Sequence, residues 1–246
     1  MVFAALAFWP GLALGSFLNV VAARVPLKRS IVRPPSACMA CGYEIAWYDN
    51  VPVVSWIVLR GRCRSCGTGI SIRYPAVELA TALLVAGCFW RFGLSGRAAV
   101  GALFCAALVA VAATDLEHLI IPNRIVLPAA AAVLAAQTTV QPSPEWAIAA
   151  LGASLGLFVL AIVYPAGMGM GDVKLALMLG AALGKTVLVA IMLGAFSGAL
   201  FGIAIMARGG SRKTKIPFGV FLALGSIVAL FAGKPLLHGY LTAFHK

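Results

Sequence analysis

Residues 187 to 207 read VLVAIMLGAFSGALFGIAIMA, an apolar run without one charged side chain. About 20 such residues, wound as a helix, reach across the roughly 30 Å hydrocarbon core of a bilayer. A helix also satisfies its own backbone hydrogen bonds there, so the run reads as a transmembrane helix. Working outward, comparable runs lie near 2–22, 76–92, 98–114, 125–140, 146–165, 173–184 and 217–233. About eight spans are expected, the fourth and sixth short enough to be partial or re-entrant, which leaves seven open. Composition agrees: 62% of the 246 residues are hydrophobic and 11% charged, against roughly 25% charged in soluble domains. A water-soluble globule is excluded. The fold class is an all-α polytopic membrane protein.

The formal charge of +12 orients the spans. No basic residue precedes the first run, whereas Arg24, Lys28, Arg29 and Arg33 follow it. This argues against a removable signal peptide and puts the N-terminus outside. Eight spans then place 23–75, 115–124, 166–172 and 208–216 in the cytoplasm. Of 19 Lys and Arg residues, five (Arg91, Arg97, Lys185, Lys234, Lys246) fall outside and the other 14 fall in or beside those segments. The positive charge is therefore assigned to the lipid bilayer surface, and no nucleic-acid partner is expected. Glycines four apart, Gly11 and Gly15, Gly152 and Gly156, then Gly194, Gly198 and Gly202, suit close helix packing in lipid.

The one large polar segment, 23–75, carries Cys38-Met-Ala-Cys41 and, after 21 intervening residues, Cys63-Arg-Ser-Cys66, with Gly42 and Gly67 directly after each pair. Four thiolates at this spacing fit a tetrahedral structural zinc ion, with two disulfides as the alternative. So few large apolar residues would leave such a loop dependent on metal for folding. A closed four-thiolate site has no open coordination position, so the role is structural. Cys88 and Cys105 lie in apolar runs and read as small buried residues. The chain thus divides into a first transmembrane helix (1–22), a cytoplasmic tetracysteine domain (23–75) and a membrane core (76–246).

Only seven residues are acidic, and a carboxylate beside hydrocarbon is expensive enough to need a reason. Asp115 ends the third span in ATDLEHLIIPN, and Asp172 opens the sixth in GMGMGDVK. Singly, Asp115 fits an interfacial charge and Asp172 a helix N-cap. Together, at one membrane depth on the cytoplasmic face, they fit a pair sharing a proton, one a base toward water and the other an acid toward a carbonyl. Three glycines before Asp172 give a backbone free to adopt positive φ and to approach another chain closely. Glu117 and His118 stand where they could tune Asp115, though His118 reads equally as a surface residue. A transporter or a zinc-anchored scaffold is the rival class, but it more commonly carries mid-span charges.

Gly169-x-Gly171-Asp172 with upstream Asp115 resembles the GxGD class of intramembrane aspartic proteases. GSFLNVVAARVP (15–26), the cysteine segment (34–78), DLEHLIIPN (115–123), GMGMGDVKL (167–175) and IPFGVFLALG (216–225) are similar, in order, to bacterial type IV prepilin peptidases. Met39 departs from the family's usual Pro after the first Cys and spares all four thiols. The resemblance implies removal of the leader from type IV prepilins or type II secretion pseudopilins at the cytoplasmic side of the inner membrane. Asp115 and Asp172 are then the catalytic pair, supported by Gly169, Gly171 and Lys174, with Cys38, Cys41, Cys63 and Cys66 holding zinc. It further implies N-methylation of the new terminus with S-adenosylmethionine, a peptidase without that activity being the alternative. No Rossmann-type glycine motif opens a βαβ unit, so the methyl-donor site is unassigned. Glu44, Asp49 and Arg60 to Arg64 are polar candidates for it, each also readable as solvated loop surface.

Overall fold

The computed structural model describes residues 1–164, 168–209 and 216–244. Gly167, Arg212, Lys213, Lys215 and Lys246, used above, lie outside the described residues. Helices occupy all eight expected places: α1 (Val2–Arg24), α3 (Arg73–Phe92), α4 (Gly96–His118), α5 (Asn123–Val140), α6 (Glu145–Val163), α7 (Met170–Leu183), α8 (Val187–Ala207) and α9 (Phe218–Phe244), with a short α2 (Val54–Val58) in the polar loop. Six runs are long and apolar enough to cross a membrane, Met170–Ala207 counting as one. The two weak spans differ from the rest as their sequences require. α5 is not among the six, and α7, with 14 residues, is about 21 Å long, short of the hydrocarbon core. The chain forms two compact units, Met1–Ala113 and Thr114–Lys246.

In the first unit α1 lies directly on α3. A Cβ placed on Gly11 would stand 2.7 Å from Ala82 Cα, and one on Gly15 would stand 2.6 Å from Glu78 Cα. Small residues let these backbones meet where lipid gives no hydrophobic drive for association. Ala22, Ala82, Cys88 and Cys105 are fully buried. The two Sγ atoms of Cys88 and Cys105 lie 3.9 Å apart, so the expected core thiols are also neighbours.

In the second unit α7 is the central element. Gly180 meets the backbone of Ala149 and Ala150 in α6. The Gln137 amide of α5 donates to Ala182 O at 2.9 Å, and the Ser154 hydroxyl of α6 donates to Val173 O at 3.1 Å. Leu175, Met178 and Leu179 are completely buried. α8 and α9 pack through Gly194, Gly198 and Gly225, the last against Ala190 O. Gly152 and Gly156 behave differently, because a Cβ on either meets nothing within 4 Å. Their face of α6 is not a described helix contact. The outer face of α6 exposes Ile148, Leu151, Leu155, Val159 and Ile162, as expected for a surface against lipid.

Replacing Gly11 by Val should push α1 from α3 and destabilise the protein by about 1–3 kcal/mol, as overpacking does. Gly152→Ala, made into open space, should leave the melting temperature unchanged. Thermal unfolding of both variants in detergent is the check.

Candidate active site and thiol cluster

The two CxxC segments fold into the same turn. Cys38 N–H donates to Tyr43 O at 2.9 Å and Gly42 N–H to Cys38 O at 2.9 Å; Cys63 N–H donates to Thr68 O at 2.8 Å and Gly67 N–H to Cys63 O at 2.9 Å. Gly42 and Gly67 close these turns at φ +73° and +71°, a conformation costly to any residue with a Cβ. Bridges between Ala37 and Glu44 and between Arg62 and Gly69 pair the flanking backbone.

All four Sγ atoms come within 4.8 Å of one another, and those of Cys38 and Cys66 are 3.8 Å apart. A tetrahedral ion with metal–sulfur bonds of about 2.3 Å has S···S edges of about 3.8 Å, whereas a disulfide closes to about 2.05 Å. The four cysteines are free thiols, so the geometry is that of a metal site and not of two disulfides. The Thr68 side chain and backbone lower the Cys66 thiol to about 6. Cys41 is drawn down by the Tyr43 N–H, but burial and the neighbouring thiols of Cys66, Cys38 and Cys63 push it up to about 11. Each thiolate opposes ionisation of the next, and a bound cation removes that opposition. The donor set therefore fits a metal ion.

Around the cluster, Arg64 grips Asp49 with both ends of its guanidinium, at 2.7 Å and 2.6 Å. That bond holds the Asp49 carboxyl below its ordinary range. These two methyl-donor candidates thus partner one another, while Glu44, Arg60 and Arg62 are exposed.

In the second unit, Asp115 lies in the last turn of α4 and Asp172 is the third residue of α7; both are buried. Gly169, not Asp172, is the N-cap of α7; Asp172 stands at the third helical position and its Oδ2 accepts from Gly169 N–H at 3.1 Å, the acid's part in a capping box. The backbone N–H groups of Gly219 and Val220, in the first turn of α9, are directed at the Asp115 carboxylate, whose Oδ2 makes no hydrogen bond of regular geometry. The two carboxylates are close enough for the charge of Asp115 to act on Asp172.

Ile121 fills the space beside them. A Cβ on Gly171 would stand 2.9 Å from Ile121 Cβ, and one on Gly219 would stand 3.0 Å from Ile121 Cδ1 and 2.9 Å from Asp115 Oδ2. Neither described motif glycine uses positive φ: Gly169 has φ −90° and Gly171 is helical. Close approach is what Gly171 supplies. Lys174 Nζ donates to Asn123 Oδ1 at 2.9 Å, tying the start of α7 to the start of α5. The His118 ring lies 3.5 Å from the Glu117 carboxylate. Sequence reasoning missed Gly219, Val220 and Ile121; the available signal was the glycine in IPFGVF, at the start of an apolar run.

Residues 10–92 match the bacterial peptidase A24 N-terminal domain and residues 102–203 the type IV leader peptidase family. The prepilin leader peptidase/N-methyltransferase of Bacillus subtilis is 36% identical over 239 residues, covering 94% of this chain and 95% of that protein. The chain belongs to the type IV leader peptidase family. The Pseudomonas aeruginosa protein of the same name is 35% identical over 94% of this leader peptidase homologue and 91% of its own length. The Myxococcus xanthus one is 40% identical over 85% of this chain, which spans 65% of that longer protein. No solved structure matches. The A24 N-terminal match contains all four thiols, and the leader peptidase match contains both aspartates.

Purified protein should carry about one metal ion per chain by plasma mass spectrometry. Cys41→Ser or Cys63→Ser should each remove most of it and lower the melting temperature.

Proposed function

We propose that this protein is an intramembrane aspartic endopeptidase with Asp115 and Asp172 as its catalytic pair. It removes the leader of type IV prepilins or type II secretion pseudopilins and methylates the new N-terminus. The observation that carries the reading is a pair of buried carboxylates from separate helices, flanked by Gly171 and Gly219, which both pack against Ile121.

One ionised carboxylate takes a proton from water, whose oxygen attacks the scissile carbonyl carbon, while the protonated partner donates to the carbonyl oxygen. Collapse of the tetrahedral intermediate breaks the C–N bond, and the departing amine takes up a proton. The dyad titrates as a unit, so neither residue holds one fixed role. The first turn of α9 offers N–H groups to Asp115, which orients that carboxylate and offsets its charge.

The 14-to-5 distribution of basic residues supports a cytoplasmic location for the aspartates and the thiol loop, within a multi-pass protein of the bacterial inner membrane. On this reading residues 23–75 form a domain held by one zinc ion on Cys38, Cys41, Cys63 and Cys66, and residues 76–246 carry the peptidase core. The zinc supplies folding energy and takes no part in cleavage. S-adenosylmethionine supplies the methyl group.

Asp115→Ala and Asp172→Ala should each slow leader cleavage about a thousandfold or more, the scale of losing one member of a catalytic unit. Both should keep the wild-type melting temperature; cleavage of a prepilin in detergent, followed by gel shift, decides. Gly219→Ala sets a methyl group against Asp115 Oδ2 and should cut kcat about tenfold or more, with KM nearly unchanged, in the same assay.

A further inference from the structure

Glu78 and Asn19 form a second polar site in the first unit, and the peptidase chemistry uses neither. Glu78, on α3, is 8% exposed. A carboxylate within membrane-spanning helices is a functional-site hypothesis by default, because its desolvation is costly. Its partners are neutral donors: Val53 N–H at 2.7 Å and the Ser16 hydroxyl of α1. Val53 is held at φ +61°, a conformation that β-branched residues rarely adopt, so the loop is drawn onto this carboxylate at a local cost.

One turn along α1 from Ser16, Asn19 is 4% exposed. Its Nδ2 donates to Tyr74 O at 3.0 Å, one turn along α3 from Glu78. Its Oδ1 is buried with no hydrogen-bond partner among the described residues. Buried acceptors without donors are rare and costly. Across the α1–α3 contact, a carboxylate with only neutral partners thus stands about one helical turn from an amide oxygen with no donor. Among the described residues Glu78 has no cationic partner and Asn19 Oδ1 has no N–H donor, and a primary ammonium supplies both a charge and N–H groups.

We propose that Glu78 and Asn19 bind a primary ammonium group during N-methylation, an inference that rests on the bifunctional reading above. Two reactants carry that group, the freshly cut pilin N-terminus and the methionine end of S-adenosylmethionine. The sulfonium itself has no N–H and would leave Asn19 Oδ1 unpartnered. Leader cleavage belongs to the aspartates of the second unit, so this site governs methylation alone.

The test uses the full-length protein in detergent with Glu78→Gln, which keeps an acceptor for Val53 N–H but removes the charge, and Asn19→Ala as an independent variant. Wild-type cleavage without any methyl group on the product, by mass spectrometry, would refute the bifunctional reading itself. With wild-type methylation established, both variants should keep metal content and cleavage rate within about twofold and lose methylation at least tenfold. Weaker binding of S-adenosylmethionine by calorimetry would assign the site to the donor's ammonium; unchanged binding with a raised KM for processed pilin peptide would assign it to the acceptor's. Normal methylation in both variants overturns the proposal. Parallel loss of metal, cleavage and methylation also overturns it, marking Glu78 and Asn19 as structural.

Discussion

The second unit is organised by the need to hold two carboxylates among membrane helices. An acid there requires either donors from the protein or a route to water. The chain meets the requirement with helix N-termini. Asp172 bonds back to Gly169 N–H at the start of its own helix, and Asp115 faces the first N–H groups of α9. The free N–H groups of a first turn suit an anion and impose no side-chain bulk. Gly171 and Gly219 follow from this arrangement, because Ile121 occupies the space that their side chains would need.

A different economy holds the polar loop together. Among its buried residues only Ser55 and Gly61 stand out between Pro35 and Ile72, so apolar burial contributes little there. Order comes from two matching thiol turns, the Asp49–Arg64 pair, and the Trp56 indole, which covers Gly61 and donates to Ile70 O at 3.0 Å. Val53 N–H then fastens the loop to Glu78 of α3. Metal affinity thus bears on the order of a segment that also touches Glu78.

Individual residues show how legibility varied. The helices were readable because lipid forces backbone hydrogen bonds inward and leaves long apolar runs; even the weakness of the fourth and sixth runs was visible. The thiol site was readable because ligand spacing within each CxxC is local. Gly11 and Gly15 were correctly placed as packing residues, whereas Gly152 and Gly156, of identical spacing, face open space. A four-residue spacing fixes a helix face and does not say whether another helix covers it. Val220 gave no signal, since it takes part through a backbone N–H, which every non-proline residue carries.

By itself the sequence determined the class of fold, the positions of the eight helices and the spacing of the four thiols, and it singled out two acids for attention, because each depends on local composition or short spacing. Only the tertiary structure decided which helix start meets Asp115, that Ile121 rather than chain flexibility explains Gly171, and that Glu78 and Asn19 are both buried where α1 meets α3. Those relations join residues far apart in the chain, up to the 104 positions between Asp115 and Gly219. Packing in three dimensions brings them together, and no local pattern encodes which helix ends will meet.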